Sequence, residues 1–479
     1  MNNVAAAWLM EKLTHSPLWV ALVPAAAGLP VFFFGLLAGA LADRLDRRRY
    51  LLATQLAQML VALTMTLSDF QDPRWLLLLL AALGTGSALA TPAWQATTPR
   101  LVPPDQLPQA IALNGIAVNL SRALGPALGG LVLAGYGAAP VFALNTLSFA
   151  WVLLAVWRLK SPSNHPSRTD LRAALTAGPR YVAQTPVQTN IMLRTGLTTL
   201  LGAAQAALLP VYSVQILKQG PSGLGLLYGC VGLGAICGAQ FMPRLRKLGW
   251  DGAVALSSLL FAVHLVLLAR FPHWACAILF LGGTGWIGMV STLSTAAQTA
   301  APRWLQARIL SIFALVFQGG LALGSVLWGW FGLQWGLNQA LQSAGLALAL
   351  CQLLTPLCRI GKIQEVQPVQ AYPELVDQHP AQRGPVRVEL GYRVPAEARQ
   401  AFLHQAKALE RLRRRDGAYQ WSLDESTREP GVFRELFWLR TWAEHEDQHA
   451  HAQAGDLEIL TPVQPYREGP AEHYLPPDL

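Results

Sequence analysis

The chain has 479 residues, 53% of them hydrophobic and only 13% charged, and its mean hydropathy of +0.33 excludes an ordinary soluble protein. Charge divides along the chain: residues 1–364 hold 23 Lys and Arg against 8 Asp and Glu, and residues 365–479 hold 13 against 19. A basic, acid-poor apolar part thus precedes a mildly acidic one, so the net charge of +9 reports topology and gives no support for nucleic-acid binding.

Val4 to Leu13 is apolar but spans only ~15 Å at 1.5 Å per residue, short of the ~20 residues that cross hydrocarbon. This first helix reads as incomplete, from a start placed downstream of the true one or from truncation. Runs of spanning length follow at 17–41, 50–68, 74–96, 107–134, 137–157, 191–217, 222–243, 250–270, 273–298, 307–334 and 336–358. The expected architecture is an all-α polytopic membrane bundle of 12 helices, the first incomplete. No cleavable signal peptide is expected, since the first residues show no basic n-region and no A-x-A site ahead of a mature domain.

Between the first two long runs lies Gly39-Ala40-Leu41-Ala42-Asp43-Arg44-Leu45-Asp46-Arg47-Arg48-Arg49. So dense a charge cluster cannot sit in hydrocarbon, and it reads as a tight turn at a membrane surface. Arg44, Arg47, Arg48 and Arg49 mark that surface as cytoplasmic. Alternating the spans from there puts 17 Lys and Arg inside and four outside, namely Lys12, Arg74, Lys218 and Arg270, which also sets the C-terminal part inside. Asp43 and the arginines can form ion pairs that close one conformation, a gating loop, or serve only as a topogenic cluster.

Arg122 lies within the span 107–134, sharing a helix face with Asn114 and Asn119. An arginine there costs at least about 2.5–3.5 kcal/mol on insertion scales, so it is expected to face a cavity or a partner. Gly125-Pro126-Ala127-Leu128-Gly129-Gly130 follows. Its proline cannot donate to the helix ladder, and its glycines let a neighbouring backbone approach. Gln95, Gln205, Gln298 and Gln318 are uncharged candidates for substrate hydrogen bonds along the same pathway.

The polar stretch 158–190 divides two halves that echo each other weakly. Gln95-x-x-x-Pro99-Arg100 recurs as Gln298-x-x-x-Pro302-Arg303, and Gly39-Ala40 with Arg44-Leu45 recurs as Gly238-Ala239 with Arg244-Leu245. Repeats of this kind build many secondary transporters, which handle substrate between the halves. The eight acids before residue 365, Glu11 and Asp251 among them, fall in or beside loops, so the driving ion has no evident carrier. His264, in the middle of a span, is expected to be a packed helix residue. The five cysteines lie in apolar runs and read as small apolar fillers. No phosphate-binding G-x-x-x-x-G-K-[ST] loop is present, which argues against direct ATP drive.

Residues 361–384 read as a linker. Beyond it, Val386–Tyr392 alternates like a strand, Pro395–Arg415 is helical, Tyr419–Leu423 and Val432–Leu439 are strands, and Trp442–Ala454 is a second helix. His445 and His449 stand one turn apart and could hold a metal. With Glu444, Glu446 and Asp447 around them, an exposed polar helix face is the preferred reading. No metal and no cofactor are expected.

The spacing G-x-x-x-D-R-x-x-R-R at Gly39–Arg48 resembles the signature loop of major facilitator superfamily transporters, with Asp46 in place of the usual glycine. G-P-x-x-G-G at Gly125–Gly130 matches the core of a motif in that superfamily's exporters. Asp416-Gly417-Ala418-Tyr419 and Trp442-x-x-x-x-x-x-Gln448-His449 resemble the tail of one siderophore- or drug-expelling branch, itself similar to the ferredoxin-like fold of antibiotic-biosynthesis monooxygenases. The resemblance implies half-bundles at 1–160 and 191–360, a cytoplasmic interdomain loop at 161–190, a ferredoxin-like domain at 385–460 and a tail at 461–479. It further implies a non-enzymatic secondary transporter of small amphiphilic molecules in a bacterial inner membrane. Its partners would be the lipid bilayer, a small-molecule substrate and protons, with self-association through the C-terminal domain. A membrane-anchored oxygenase and a transport-dead sensor are the alternatives.

Overall fold

A computed structural model describes residues 1–97, 103, 106–158, 171–302, 305–361, 363, 379–380, 383–450 and 454–476. The chain forms two compact units. One holds 1–171, 190–297 and 310–362; the other holds 172–189, 298–309 and 363–479.

The first unit is helical. Its helices are α1 (Asn2–Thr14), α2 (Pro17–Arg44), α3 (Arg47–Leu67), α4 (Pro73–Thr97), α5 (Leu107–Tyr136) and α6 (Ala138–Arg158), joined after α7 (Leu171–Gln184) by α8 (Pro186–Gln215), α9 (Pro221–Leu245), α10 (Gly249–Arg270), α11 (Ala275–Thr299), α12 (Gln306–Trp335) and α13 (Leu337–Cys351). Among the described residues, eight stretches are long and apolar enough to cross a membrane, and one of them, Pro221–Arg270, takes in both α9 and α10. The turns follow local chemistry. Asp46 caps α3, its carboxylate accepting the Arg49 backbone N–H at 2.8 Å. Gly137 (φ 84°) and Gly336 (φ 86°) occupy matching helix junctions in the two halves, a backbone conformation that favours glycine and a structural trace of the internal repeat.

Small residues set how closely these helices meet. A Cβ at Gly84 of α4 would lie 2.3 Å from the Ala27 carbonyl oxygen of α2, and one at Gly283 of α11 would lie 2.0 Å from that of Val231 in α9. Glycine at such points lets backbones come together where the hydrophobic effect offers helices no reason to associate.

The second unit is built on an antiparallel four-stranded sheet, β1 (Val386–Arg393), β2 (Gln420–Glu425), β3 (Val432–Leu439) and β4 (Arg467–Tyr474), in the order β2-β3-β1-β4. α14 (Arg399–Arg415) follows β1, while α15 (Trp442–Ala450) and α16 (Ala454–Leu460) lie between β3 and β4. Val386, Val388, Leu390 and Tyr392 alternate inward from β1 and pack with Phe402, Leu409, Phe437 and Trp442.

Two sequence-based boundaries change. The sheet continues past residue 460, because β4 pairs with β1 inside the stretch read as a tail. The 161–190 stretch contains α7, and residues 172–189 join the C-terminal unit. There the Arg415 guanidinium lies 5.8 Å from the Tyr181 ring centre, and Arg180 donates to the Gly417 carbonyl at 3.5 Å.

The His445 reading also changes. His445 is 1% exposed, not on an open helix face, because β4 supplies a partner the α15 sequence cannot show. Its Nε2 faces His473 Nε2 at 2.9 Å, its ring centre is 4.7 Å from that of His449, and Nδ1 meets Gln448 Oε1 at 3.3 Å. Among the described residues, no three acids, histidines or cysteines form a metal-holding group. Burial, followed by the neighbouring His449 and His473, pushes the His445 imidazole down to about 3. The unfolded chain therefore binds the extra proton between its ordinary value of 6.5 and about 3. The resulting stability is complete above pH 6.5 and falls as pH drops toward 3, by a few kcal/mol at most. Asp416, whose buried carboxyl is held above its usual range, acts in the opposite sense. The check is the wild-type minus His445→Gln difference in acid unfolding: the variant is expected to lose less of its stability over that interval, and identical acid slopes would contradict this.

Candidate functional site: a cavity between the helical halves

A cavity of 810 Å³ opens within the first unit, lined from α1, α2, α5, α6, α8 and α9. It therefore touches both repeats, and its size falls in the range of small-molecule sites. The lining is mostly apolar, with Val4, Val23, Leu124, Leu128 and Ala206, and a few polar groups from Asn2, Asn3, Ser121, Asn145 and Tyr228. The Asn2 side-chain oxygen is buried without a hydrogen-bond partner among the described residues. An apolar wall with scattered hydrogen-bonding groups suits an amphiphile and disfavours a highly charged solute.

The Gly125–Gly130 motif sits at this cavity. Gly125 and Pro126 line it, while Gly129 and Gly130 are buried. A Cβ at Gly130 would stand 2.4 Å from Gly225 Cα and 3.1 Å from the Pro221 carbonyl oxygen. The motif thus sets a backbone-to-backbone seam between α5 of the first half and α9 of the second. A second seam joins α2 to α12, where a Cβ at Gly329 would lie 2.4 Å from Ala21 Cβ and one at Gly28 would lie 3.4 Å from the Gln318 amide nitrogen.

The other sequence candidates are scattered. The side chains of Asp43, Arg44, Gln95, Asn114, Asn119 and Arg122 lie outside the described residues. Gln205 is buried in α8 with its amide oxygen unpartnered, one residue from cavity-lining Ala206. Gln318 is half-buried on the α2–α12 seam. Gln298 is exposed at the end of α11 and belongs to the second unit, so the structure does not bring it to the cavity. In the charged turn, Arg48 donates to the Trp157 carbonyl at the end of α6, where a cation meets the negative end of the helix dipole. Arg47 is half-buried and Arg49 exposed. His264 is fully buried against the Phe261 ring at 4.3 Å between ring centres and bonded to the Phe261 carbonyl, as expected of a packed helix residue.

Sequence reading missed three features. Asn145 and Tyr228 could have been flagged as polar residues inside apolar runs. Glu11 was placed beside a loop, yet it is 1% exposed within α1. Asp251, also assigned to a loop margin, stands in the first turn of α10, where it pairs with Arg194 of α8 and accepts the Ile360 and Gly361 backbone N–H groups at 3.1 and 2.9 Å. Asn190 adds a bond to the Arg359 carbonyl at 2.8 Å. The Arg194 side chain is 6% exposed and that of Asp251 26%. Asp251→Asn leaves the guanidinium buried without its counter-charge and is expected to cost about 2 kcal/mol, below the buried-pair range because Asp251 is partly solvated. Thermal unfolding of the detergent-solubilised chain checks this, and an unshifted transition would count against the clamp.

The family description reading "transmembrane secretion effector" matches residues 1–475. The chain belongs to this family of the major facilitator superfamily. Among its relatives, the enterobactin exporter EntS of Salmonella choleraesuis (strain SC-B67) is 27% identical over 376 residues, covering 77% of this chain and 90% of the relative. EntS of Shigella boydii serotype 18 is 29% identical over 338 residues, covering 69% and 80%. Solved structures share the fold at low identity. The nucleoside transporter NupG aligns with a TM-score of 0.61 at 10% identity, covering 75% of this chain and 95% of that one. A bacterial homologue of the lysosomal transporter Spinster aligns at 0.58 and 14%, covering 74% and 92%. This transmembrane secretion effector is therefore a multi-pass membrane transporter rather than an enzyme.

Proposed function

We propose that this transporter exports a small amphiphilic molecule of siderophore type by alternating access, with two six-helix halves rocking about the 810 Å³ cavity. The observation that carries the reading is one cavity lined from both halves beside the α5–α9 seam, in a chain whose relatives are named enterobactin exporters. Chemistry is unnecessary: a ligand that binds inward- and outward-open states differently drives the exchange. Gln205, Arg122, Asn114 and Asn119 would extend the pathway beyond the cavity, and Asp43 with Arg44 and Arg47–Arg49 would hold one state closed at the cytoplasmic end.

The C-terminal domain is read as ferredoxin-like, a reading supported by its β-α-β-β-α-β order. It is assigned a regulatory or pairing role on the cytoplasmic side. Two facts support that side: the excess of Lys and Arg in the alternate loops, and the membership of residues 172–189 in the same compact unit.

The test is enterobactin accumulation in everted membrane vesicles that contain or lack the protein. Uptake only with the protein supports export. Equal uptake in both, together with oxygen-dependent turnover of a substrate by the full chain, would transfer the activity to the C-terminal domain.

A further inference from the structure

Glu11 lies in the penultimate turn of α1 and is 1% exposed. Its Oε1 accepts a hydrogen bond from Gln215 Nε2 of α8 at 3.1 Å. Its Oε2 is buried and has no hydrogen-bond partner. The same Gln215 nitrogen reaches the His15 carbonyl oxygen at 3.4 Å. α1 belongs to the first half and α8 to the second, so this contact ties the halves at the bundle end that carries the α1–α2 turn.

The surroundings offer the carboxyl little compensation. His15 is the titratable group that acts on it, while Lys12 points toward the Trp8 ring, 6.0 Å away. Of the helices packed along α1, α4 brings the exposed Arg74 to this end, and α2, α5, α6 and α9 bring no Lys, Arg, Asp or Glu to it among their described residues. An ionised carboxylate with one bare oxygen in such a place is costly, whereas a neutral carboxyl needs only the single bond it has.

We infer that Glu11 is a proton-binding site that links closure of this end of the bundle to uptake of one proton. When the ends of α1 and α8 meet, a proton from the adjoining aqueous phase forms one O–H bond at Glu11 Oε2. When they part, the carboxyl meets water, that bond breaks and the proton returns to solution. A proton binds the two states differently and so shifts their populations, as any ligand does. The site stands on its own geometry; its use in driving export rests on the export reading above.

Infrared difference spectroscopy of the full-length protein in nanodiscs tests the site without any substrate. A protonated-carboxyl C=O band is expected at neutral pH in the wild type and is expected to be absent from Glu11→Gln. The difference between the wild type and the variant makes the assignment. No difference would overturn it. Should Glu11→Gln not insert, Gln215→Leu removes the donor and is expected to shift the same band, and an unmoved band overturns the site equally.

Everted vesicles with enterobactin test the coupling. Uptake driven by a pH gradient is expected to be lost in Glu11→Gln while enterobactin counterflow persists. Wild-type gradient response in that variant would overturn the coupling. Failure of the wild type in both transport assays would instead sink the export reading, leaving the infrared result to decide the proton site.

Discussion

Glu435→Gln is expected to destabilise the C-terminal domain by about 3–5 kcal/mol, the range for breaking a buried ion pair. Glu435 is 0% exposed on β3 and gathers three donors. Arg413 Nε reaches Oε1 at 2.9 Å, Trp421 Nε1 reaches the same oxygen at 3.0 Å, and the Tyr392 hydroxyl donates to Oε2 at 2.7 Å. The Arg413 guanidinium, 4.7 Å from the Phe437 ring centre, is itself 3% exposed. Neutralising the carboxylate leaves that cation in a low-dielectric core with no water to screen it, which is why the loss exceeds that of an ordinary hydrogen bond. The Arg399–Glu425 pair makes a contrast, because its side chains are 50% and 30% exposed. Glu425→Gln is expected to change stability little. Hydrogen exchange of β1 and β3 in the full chain reads both. Comparable protection in the two variants would show that the buried cluster does not anchor the domain.

Gly130→Ala is expected to abolish transport with the protein still inserted. Alanine normally favours a helix over glycine by about 1 kcal/mol. Here its Cβ would meet Gly225 Cα at 2.4 Å and Gly225 N at 2.9 Å. Both are backbone atoms that cannot swing aside, so the clash must push α5 from α9, at an overpacking cost of about 1–3 kcal/mol. The clash outweighs the propensity gain. Gly135 of the same helix has nothing within 4 Å of its would-be Cβ, so Gly135→Ala serves as the control and is expected to transport as the wild type does. Enterobactin uptake in everted vesicles, with membrane insertion verified, decides the matter. Wild-type uptake by Gly130→Ala would mean that the seam tolerates separation.

What could be read beforehand follows from the range of the forces involved. Val432–Leu439 was readable residue for residue, because alternation over eight positions is local and the facing surface is a core. The breaks between the runs 107–134 and 137–157 and between 307–334 and 336–358 were likewise readable, and the structure turns there at Gly137 and Gly336 within a few residues. β4 escaped because it is an edge strand, exposed along most of its length and interrupted by Pro470, so no apolar alternation marks it. α7 escaped because it lies in a polar stretch whose packing partners come from the distant residues 363–479.

The site divides in the same way. Gly125–Pro126–Gly129–Gly130 was legible as a place of close approach, though Gly225, about a hundred residues on, had to be found in space. Glu11 and Asp251 looked like loop acids, and His445 looked like a surface residue. Their partners are Gln215, Arg194 and His473, none of which sequence spacing connects to them.

The sequence by itself determined which segments are helical and apolar, which loops carry the positive charge and that the two halves repeat, since hydropathy, propensity and turn chemistry act over neighbouring residues. Only the tertiary structure decided which polar groups are stranded in the interior and which backbones touch. Those outcomes depend on contacts between segments far apart in the chain, and desolvation penalises a charge according to what surrounds it rather than what precedes it.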